Sequence, residues 1–167
     1  MKNQVSIVVE HELNDVTPEM IDWWWDNIDN SERYKLWHPE EHVDFKWLVD
    51  PKVHGHVGAI SASIESAGDG LEFPLRIRWE DPKDCPINTH YSHVLMGSCL
   101  DDNDDVISQV IHQYEKSENG TVMTSTFIFP KGLPPFINLS GLYKHNVEEM
   151  SEFSNFLPEL SQREFVR

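Results

Sequence analysis

The chain has 167 residues, of which 39% are hydrophobic, and this size and composition favour a single domain spanning residues 1–167. A formal net charge of −16, from 13 basic and 29 acidic residues, argues against binding to nucleic acid or to anionic membrane surfaces, which need basic patches. There is no apolar run of about 18 residues, no signal-like N-terminus and no evident pairing of Cys85 with Cys99, so we expect a cytoplasmic protein with reduced thiols.

The first third of the chain contains one predicted strand and one predicted helix. Residues 5–9 are rich in β-branched side chains, which is typical of a strand. Thr17 and Pro18 predict a helix start, as N-cap and first helical residue, and the helix is expected to end near Ile28. Residues 31–55 show no clean period, so we expect a long aromatic-rich connection, a kind of segment that often carries function.

The middle of the chain predicts five more strands separated by short polar turns. The first of these turns is residues 67–70, Ala-Gly-Asp-Gly. Connections this short join antiparallel neighbours. The predicted strands are residues 57–65, 71–79, 90–99, 106–114 and 121–129.

The end of the chain predicts one long helix, capped by Ser140 and running from about Gly141 to Leu157, with Pro158 ending it. At about 100° per residue, six apolar side chains share one face of it: Leu139, Leu142, Tyr143, Met150, Phe153 and Leu157. The order of elements predicts an α+β fold in which a curved antiparallel sheet grips this helix around a cavity, the helix-grip or Bet v 1-like arrangement.

His145 and Glu149 are four residues apart on the predicted last helix. This spacing places both side chains on one face, one turn apart, where they can bind a single ion. They border the apolar face, where ionisable groups need a partner. An exposed pair joined by a local hydrogen bond would have the same spacing, so both interpretations stay open.

Residues 33–42 combine two histidines, a tyrosine and two carboxylates within ten positions. Pro39 restricts the backbone there, which lowers the entropy cost of holding a ligand. The segment is either a ligand-bearing loop or a loop in which His38 and His42 make only structural hydrogen bonds.

Two strand residues are weaker candidates. Glu65 faces away from Ile60 and Ile64 by alternation, so it points into the cavity if the isoleucines point outward. An exposed glutamate at a strand end is the alternative. His112 lies on the predicted strand 106–114, where a lone histidine is usually a hydrogen-bonded core or edge residue.

Three stretches together resemble the 2,4-diacetylphloroglucinol (DAPG) hydrolases, metal-dependent enzymes that hydrolyse a carbon–carbon bond. The first is residues 17–25 with 34–42, which contains Trp-His-Pro-x-x-His; the second is residues 57–65 with Leu-Arg-Ile-Arg at 75–78. The third is His-x-x-x-Glu at 145–149, closing on Phe-Leu-Pro-Glu-Leu at 156–160. The stretches span nearly the whole chain and are specific as a set, although each alone is weak.

The resemblance implies a site for one divalent metal, zinc or another, with two His and two Glu ligands. Its histidine positions match His42 and His145, and one glutamate position matches Glu149. The remaining glutamate matches Glu65, with Glu72 as the alternative. Such a donor set neutralises the ion and leaves room for water.

The resemblance also implies a reaction. Tyr34 would contact a substrate oxygen and His112 would assist proton transfer, while the bond between an acyl group and an activated phenolic or enolic carbon is hydrolysed. The expected substrate is a small aromatic or β-diketone-like compound. Strand 124–129 departs from the family pattern with Thr and Ile where Arg and a larger aromatic residue are expected, which concerns the substrate more than the metal.

Two other functions fit the same fold. A non-catalytic carrier of small apolar ligands would not need the converging His and Glu residues, and a metal-binding domain without activity would not need Tyr34 and His112. The chain is expected to correspond to the catalytic domain of the family without its additional N-terminal part. A monomer and a homodimer both stay open.

Overall fold

One curved antiparallel sheet faces a long C-terminal helix. The computed structural model of the protein describes residues 3–66 and 70–165. Within these residues the strand order is β1-β7-β6-β5-β4-β3-β2, with every neighbouring pair antiparallel. The strands are β1 (Val5–Asn14), β2 (His42–Val49), β3 (Ile60–Ser66), β4 (Glu72–Glu80), β5 (His93–Leu100), β6 (Val106–Lys116) and β7 (Gly120–Phe129). The predicted arrangement of at least five antiparallel strands with one long helix is confirmed.

Helices fill the space between β1 and β3 and close the chain. They are α1 (Pro18–Asn27), α2 (Ser31–Trp37), α3 (Pro51–His54) and α4 (Leu139–Phe165). Thr17 caps α1 as predicted, because its hydroxyl accepts the backbone N–H of Met20 at 3.2 Å. The carbonyl of the Asn30 side chain caps α2 in the same way by accepting the N–H of Arg33 at 2.9 Å.

Residues 31–55 contain three regular elements, which corrects the prediction of one long connection there. The segment contains α2, β2 and α3, which are only 7, 8 and 4 residues long. Strand β2 is an edge strand with register shifts at positions 42–44 and 47–49. These irregularities disrupt the alternation of inward and outward side chains by which a strand is recognised in a sequence.

Strand β1 extends to Asn14, five residues beyond the predicted end at residue 9. Val9, His11 and Leu13 alternate inward along its second half, while the residues between them are exposed. A buried histidine in the middle of this series weakened the apolar signal.

Helix α4 is longer at both ends than predicted. Asn138, not Ser140, caps it, since the Asn138 side-chain oxygen accepts the backbone N–H of Ser140 at 2.9 Å. Pro158 lies inside the helix, so the prediction that it ends there was wrong. An interior proline costs about 3 kcal/mol. Burial of Leu157 and Leu160 on either side offsets this, at roughly 1.5–3 kcal/mol for each side chain.

The buried face of α4 differs in part from the predicted apolar face. Met150, Phe153 and Leu157 are buried as expected. Tyr143 is 46% exposed, which corrects its placement on that face. Asn146 is completely buried instead, because it hydrogen-bonds inside the protein.

Aromatic side chains of α1, α2 and α4 pack together at one end of the sheet. The ring of Trp24 lies edge-on to Phe153 and Phe156, with centroid distances of 6.3 and 4.9 Å. Trp37 stacks on Phe153 with centroids 5.7 Å apart.

Gly97 on β5 makes room for Trp79, whose ring would lie 2.8 Å from an added Cβ.

Several smaller expectations concern the rest of the chain. Cys85 and Cys99 are free thiols, as predicted. Residues 67–69 of the first predicted turn lie outside the described residues. In the parts of the chain that the structure describes, each helix is too short or too polar to cross a membrane.

Candidate metal and substrate site

A cavity of about 510 Å³ lies between the sheet and α4. Its walls are mainly apolar and aromatic, which suits a flat apolar ligand: they include Trp25, Trp37, Leu75, Ile77, Phe127 and Phe129. A group of ionisable side chains interrupts the apolar wall, and it includes Glu65 of β3 with His145 and Glu149 of α4.

His42, Glu65, His145 and Glu149 meet at this point from three different elements. His42 on β2 and Glu65 on β3 are direct partners in the sheet register. His145 and Glu149 project from α4, and their Nε2 and Oε2 atoms are 3.4 Å apart. The structure therefore brings together the four residues that the family resemblance implies as ligands, and their role as ligands stays a prediction.

The spacing of the donor atoms fits one small cation. His42 Nε2 lies 3.6 Å from Glu65 Oε1 and 3.5 Å from Glu149 Oε2. His145 Nε2 lies 3.6 Å from Glu65 Oε2. Donors about 2.1 Å from a tetrahedrally coordinated ion are about 3.4 Å apart, so these separations match a zinc-type site.

The tautomer of His42 gives a second test of this fit. His42 Nδ1 donates to the carbonyl oxygen of Tyr34 at 2.9 Å, so Nε2 of the neutral ring carries a lone pair. Nε2 is buried and has no hydrogen-bond partner within the described part of the chain. A buried lone pair facing two carboxylates is unfavourable unless a cation lies between them. The donor set therefore fits a divalent metal.

Glu41 orients His145. Its Oε2 accepts the Nδ1–H of His145 at 2.7 Å, which leaves Nε2 directed at the cluster. Burial acts to lower the pKa of His145, but the carboxylates of Glu149 and Glu65 outweigh it and raise the pKa to about 10. The same carboxylate–histidine arrangement is common behind histidines that bind metals.

Glu149 is kept ionised in this cluster. Burial acts to raise its pKa, but the positive charge of His145 and a hydrogen bond from His145 hold the pKa well below its usual range. The pocket thus concentrates negative charge in a buried place, as a cation site requires.

Glu65, not Glu72, reaches the cluster. Glu65 lines the cavity on the same face of β3 as Ser61 and Ser63, which is the inward one of the two orientations that the alternation left open. Glu72 is exposed at the start of β4, where it pairs with Ser66 across the sheet.

Tyr34 contacts the cluster from α2. Its hydroxyl donates to Glu65 Oε1, and its ring stacks on His42 with centroids 3.9 Å apart. Burial, together with the charge of Glu65, raises the pKa of Tyr34 well above its usual range. The hydroxyl thus holds Glu65 in place, while its contact with a substrate oxygen stays a prediction.

His112 lies on the cavity wall, on β6. Its ring stacks on Trp25 with centroids 5.4 Å apart and an angle of 6° between the planes. Its Nδ1 is 2.8 Å from Ser125 Oγ. Burial lowers the pKa of His112 to about 4, so the imidazole is neutral near pH 7. Its part in proton transfer stays a prediction.

A second group of possible donors, His38, Glu41 and His145, lies beside the first. His38 Nδ1 accepts the backbone N–H of Glu41 at 3.0 Å, and its Nε2 donates to Glu148 at 2.8 Å. Both nitrogens of His38 are thus already used, and its ring stacks on His145 with centroids 4.7 Å apart. This group supports His145 and is not a separate metal site.

Sequence reasoning missed four residues that contact the site residues: Glu41, His11, Ser125 and Asn146. The density of His and Glu in residues 33–42 was a signal for Glu41. His11 and Ser125 had no local signal, because they are hydrogen-bonded to residues 13 or more positions away. Asn146 is hydrogen-bonded to Glu149 only three residues along α4, but its contact with His11 spans 135 positions.

A curved antiparallel sheet around one long helix, with buried His and Glu donors converging at its cavity, defines a helix-grip protein with a candidate metal centre. Residues 3–137 match the family described as "DAPG hydrolase PhiG domain". The chain therefore belongs to the DAPG hydrolase family. The matched region contains His42 and Glu65 and ends before α4, which supplies His145 and Glu149.

The similar proteins include an enzyme and several helix-grip structures. The chain is 27% identical to the phloretin hydrolase of Eubacterium ramulus over 182 residues, covering 89% of this chain and 64% of that protein. Ginseng major latex-like protein 151 from Panax ginseng has a TM-score of 0.62 at 7% identity, covering 91% of this chain and 96% of that one. Ara h 8.0201 has a TM-score of 0.60 at 11% identity, covering 93% and 98%. These structures share the fold.

Proposed function

We propose that the chain is a metal-dependent hydrolase that cleaves the bond between an acyl group and an activated phenolic or enolic carbon. Membership of the DAPG hydrolase family and the similarity to a phloretin hydrolase support the reaction class. The observation that carries the metal dependence is the buried, unpartnered Nε2 of His42 facing the carboxylates of Glu65 and Glu149.

His42, Glu65, His145 and Glu149 would hold the ion. Zinc is the expected metal, because two imidazoles and two carboxylates at these separations suit it, and another divalent ion of similar size is the alternative. When bound, such an ion polarises an acyl carbonyl and activates water near neutral pH. Glu41 and Tyr34 hold His145 and Glu65 in position for it.

The cavity would bind the aromatic or enolic part of the substrate. Hydrolysis adds the hydroxyl of water to the acyl carbon and a proton to the ring carbon, so the products are a carboxylic acid and the deacylated compound. Protonation of the ring carbon needs a nearby group that transfers a proton or stabilises the developing charge. His112 is the candidate, because it lies on the cavity wall and stacks on Trp25.

A carrier of small apolar ligands is the second candidate function. The apolar walls and the volume of the cavity support it. A carrier has no use for four converging donors at tetrahedral separations, so the enzyme is the better-supported function.

Zinc content and turnover together test the proposal. Protein made without a His-tag should contain about one zinc-type ion per chain, and the metal-loaded protein should hydrolyse an acylated phloroglucinol or a simple β-diketone. Glu149→Gln should lose metal and activity, because it removes one charged ligand at little change in volume. Glu152→Gln, the same change one turn away on α4, is the matched control.

The outcomes separate the candidates. Metal binding with turnover supports the hydrolase. Tight binding of the same compounds without turnover favours the carrier. If neither the wild type nor Glu149→Gln binds an ion, the result contradicts the proposed metal site.

A further inference from the structure

A buried chain of hydrogen bonds connects Glu149 with His112. Asn146 Nδ2 donates to Glu149 Oε1 at 2.9 Å, and the Asn146 side-chain oxygen lies 2.9 Å from His11 Nε2. Ser125 Oγ is 3.1 Å from the same His11 nitrogen and 2.8 Å from His112 Nδ1. None of these five side chains is more than 9% exposed. This series of hydrogen bonds therefore joins Glu149, a candidate metal ligand, to His112 without passing through solvent.

The direction of each hydrogen bond follows from its neighbour. The Glu149 carboxylate only accepts, so the amide N–H₂ of Asn146 faces it and the amide oxygen faces His11. His11 Nε2 must then carry the proton that it donates to Asn146, and it cannot accept one from Ser125.

The single hydroxyl proton of Ser125 is thereby directed to His112. Within the described residues its hydroxyl contacts only His11 Nε2 and His112 Nδ1, and the first of these is a donor. Ser125 therefore donates to His112 Nδ1, which must be unprotonated. In the neutral ring the proton is then on Nε2.

We propose that His11, Ser125 and Asn146 are positioning residues that fix His112 as its Nε2–H tautomer, so that a neutral imidazole offers a hydrogen-bond donor to an oxygen of the ligand in the cavity. The tautomer follows from the contacts alone. The identity of the oxygen, a carbonyl or phenolic oxygen of the acyl compound, rests on the function proposed above.

This arrangement makes His112 a donor in its uncharged form. The low pKa of the buried ring agrees with this, since protonation is not needed to supply the N–H. A neutral donor stabilises negative charge that develops on an oxygen while a ring carbon becomes the leaving group. It also selects for ligands that carry an acceptor oxygen at that place, because a ligand without one would leave the buried N–H unpaired.

Long-range ¹H–¹⁵N correlation spectra of zinc-supplied protein labelled with ¹⁵N-histidine measure the tautomer directly. Near pH 7.5, His112 should show a protonated Nε2 and an unprotonated Nδ1, with His112→Gln identifying its signals. Ser125→Ala removes the proton donated to Nδ1, so the signals should move to the intermediate positions of a tautomer mixture. Thr126→Val, which removes a hydroxyl from the adjacent residue on the other face of β7, should leave them unchanged.

A protonated Nδ1 in the wild type, or His112 signals in Ser125→Ala identical to those of the wild type, would overturn the proposal. If Ser125→Ala does not fold, the wild-type spectrum alone decides. In an activity assay, Ser125→Ala should lower kcat by about tenfold without changing zinc content. The spectra do not depend on turnover, so the tautomer and the proposed reaction can fail separately.

Discussion

Lowering the pH should destabilise the folded protein, in part because the buried His112 resists protonation. The substitution His112→Gln removes this contribution and so allows it to be measured. The ring is 4% exposed, and burial lowers its pKa from 6.5 to about 4. Between these two values the unfolded chain binds a proton that the folded chain does not, so stability is lost as the pH falls. The loss begins near the unfolded pKa and continues to the folded pKa.

The size of the effect follows from the two pKa values. At about pH 8 the imidazole is neutral in both states and contributes no pH dependence. At about pH 5.5 it is mostly protonated in the unfolded chain and almost wholly neutral in the folded one, which corresponds to about 1.4 kcal/mol. This pH lies above the pI of about 4.8, where the protein would be least soluble.

Urea unfolding of the wild type and of His112→Gln at both pH values gives the measurement. The gap in unfolding free energy between the two proteins should shrink by about 1.4 kcal/mol from pH 8 to pH 5.5, because only the wild type loses the His112 contribution. Phe127→Leu changes the same cavity wall without removing an ionisable group, so its gap to the wild type should stay constant. A constant gap for His112→Gln would show that the ring titrates alike in both states and would refute the reasoning.

Four further substitutions test the site and the core. Glu41→Gln should weaken zinc affinity by about 10–100-fold, by loss of the partner of His145, in a competition with a chelator; unchanged affinity would contradict that role. His112→Ala should keep the metal and lower kcat by about 10²–10⁴-fold, with Tyr34→Phe costing less; the reverse order in steady-state kinetics would argue against these roles. Phe153→Ala should lower the unfolding free energy by about 3–5 kcal/mol in urea, and a loss under about 1 kcal/mol would show that the aromatic cluster is not central to the core.

The sequence predicted the elements whose pattern is local and regular. The alternating strands and the cap at Thr17 are examples. Strand β2 escaped detection because its bulges disturb the alternation, and the interior Pro158 was misjudged because packing of the surrounding helix outweighs its local penalty.

The candidate site could be predicted only where a donor residue was part of a recognisable pattern in the sequence. The spacing of His145 and Glu149 and the density of residues 33–42 were visible in the sequence, and the family resemblance joined them. His11 and Asn146 are hydrogen-bonded across 135 positions, which no local pattern reveals. The substrate and the cytoplasmic location stay predictions.

The candidate metal centre draws its donors from two parts of the chain that are synthesised at different times. Glu41 and His145, which contact each other beside the cluster, are 104 positions apart. During synthesis the β2–β3 half of the cluster therefore emerges long before the α4 half. An ion that binds only the complete set cannot be captured until the last helix has docked. A bound ion would close a loop of about a hundred residues and would stabilise the folded state by mass action.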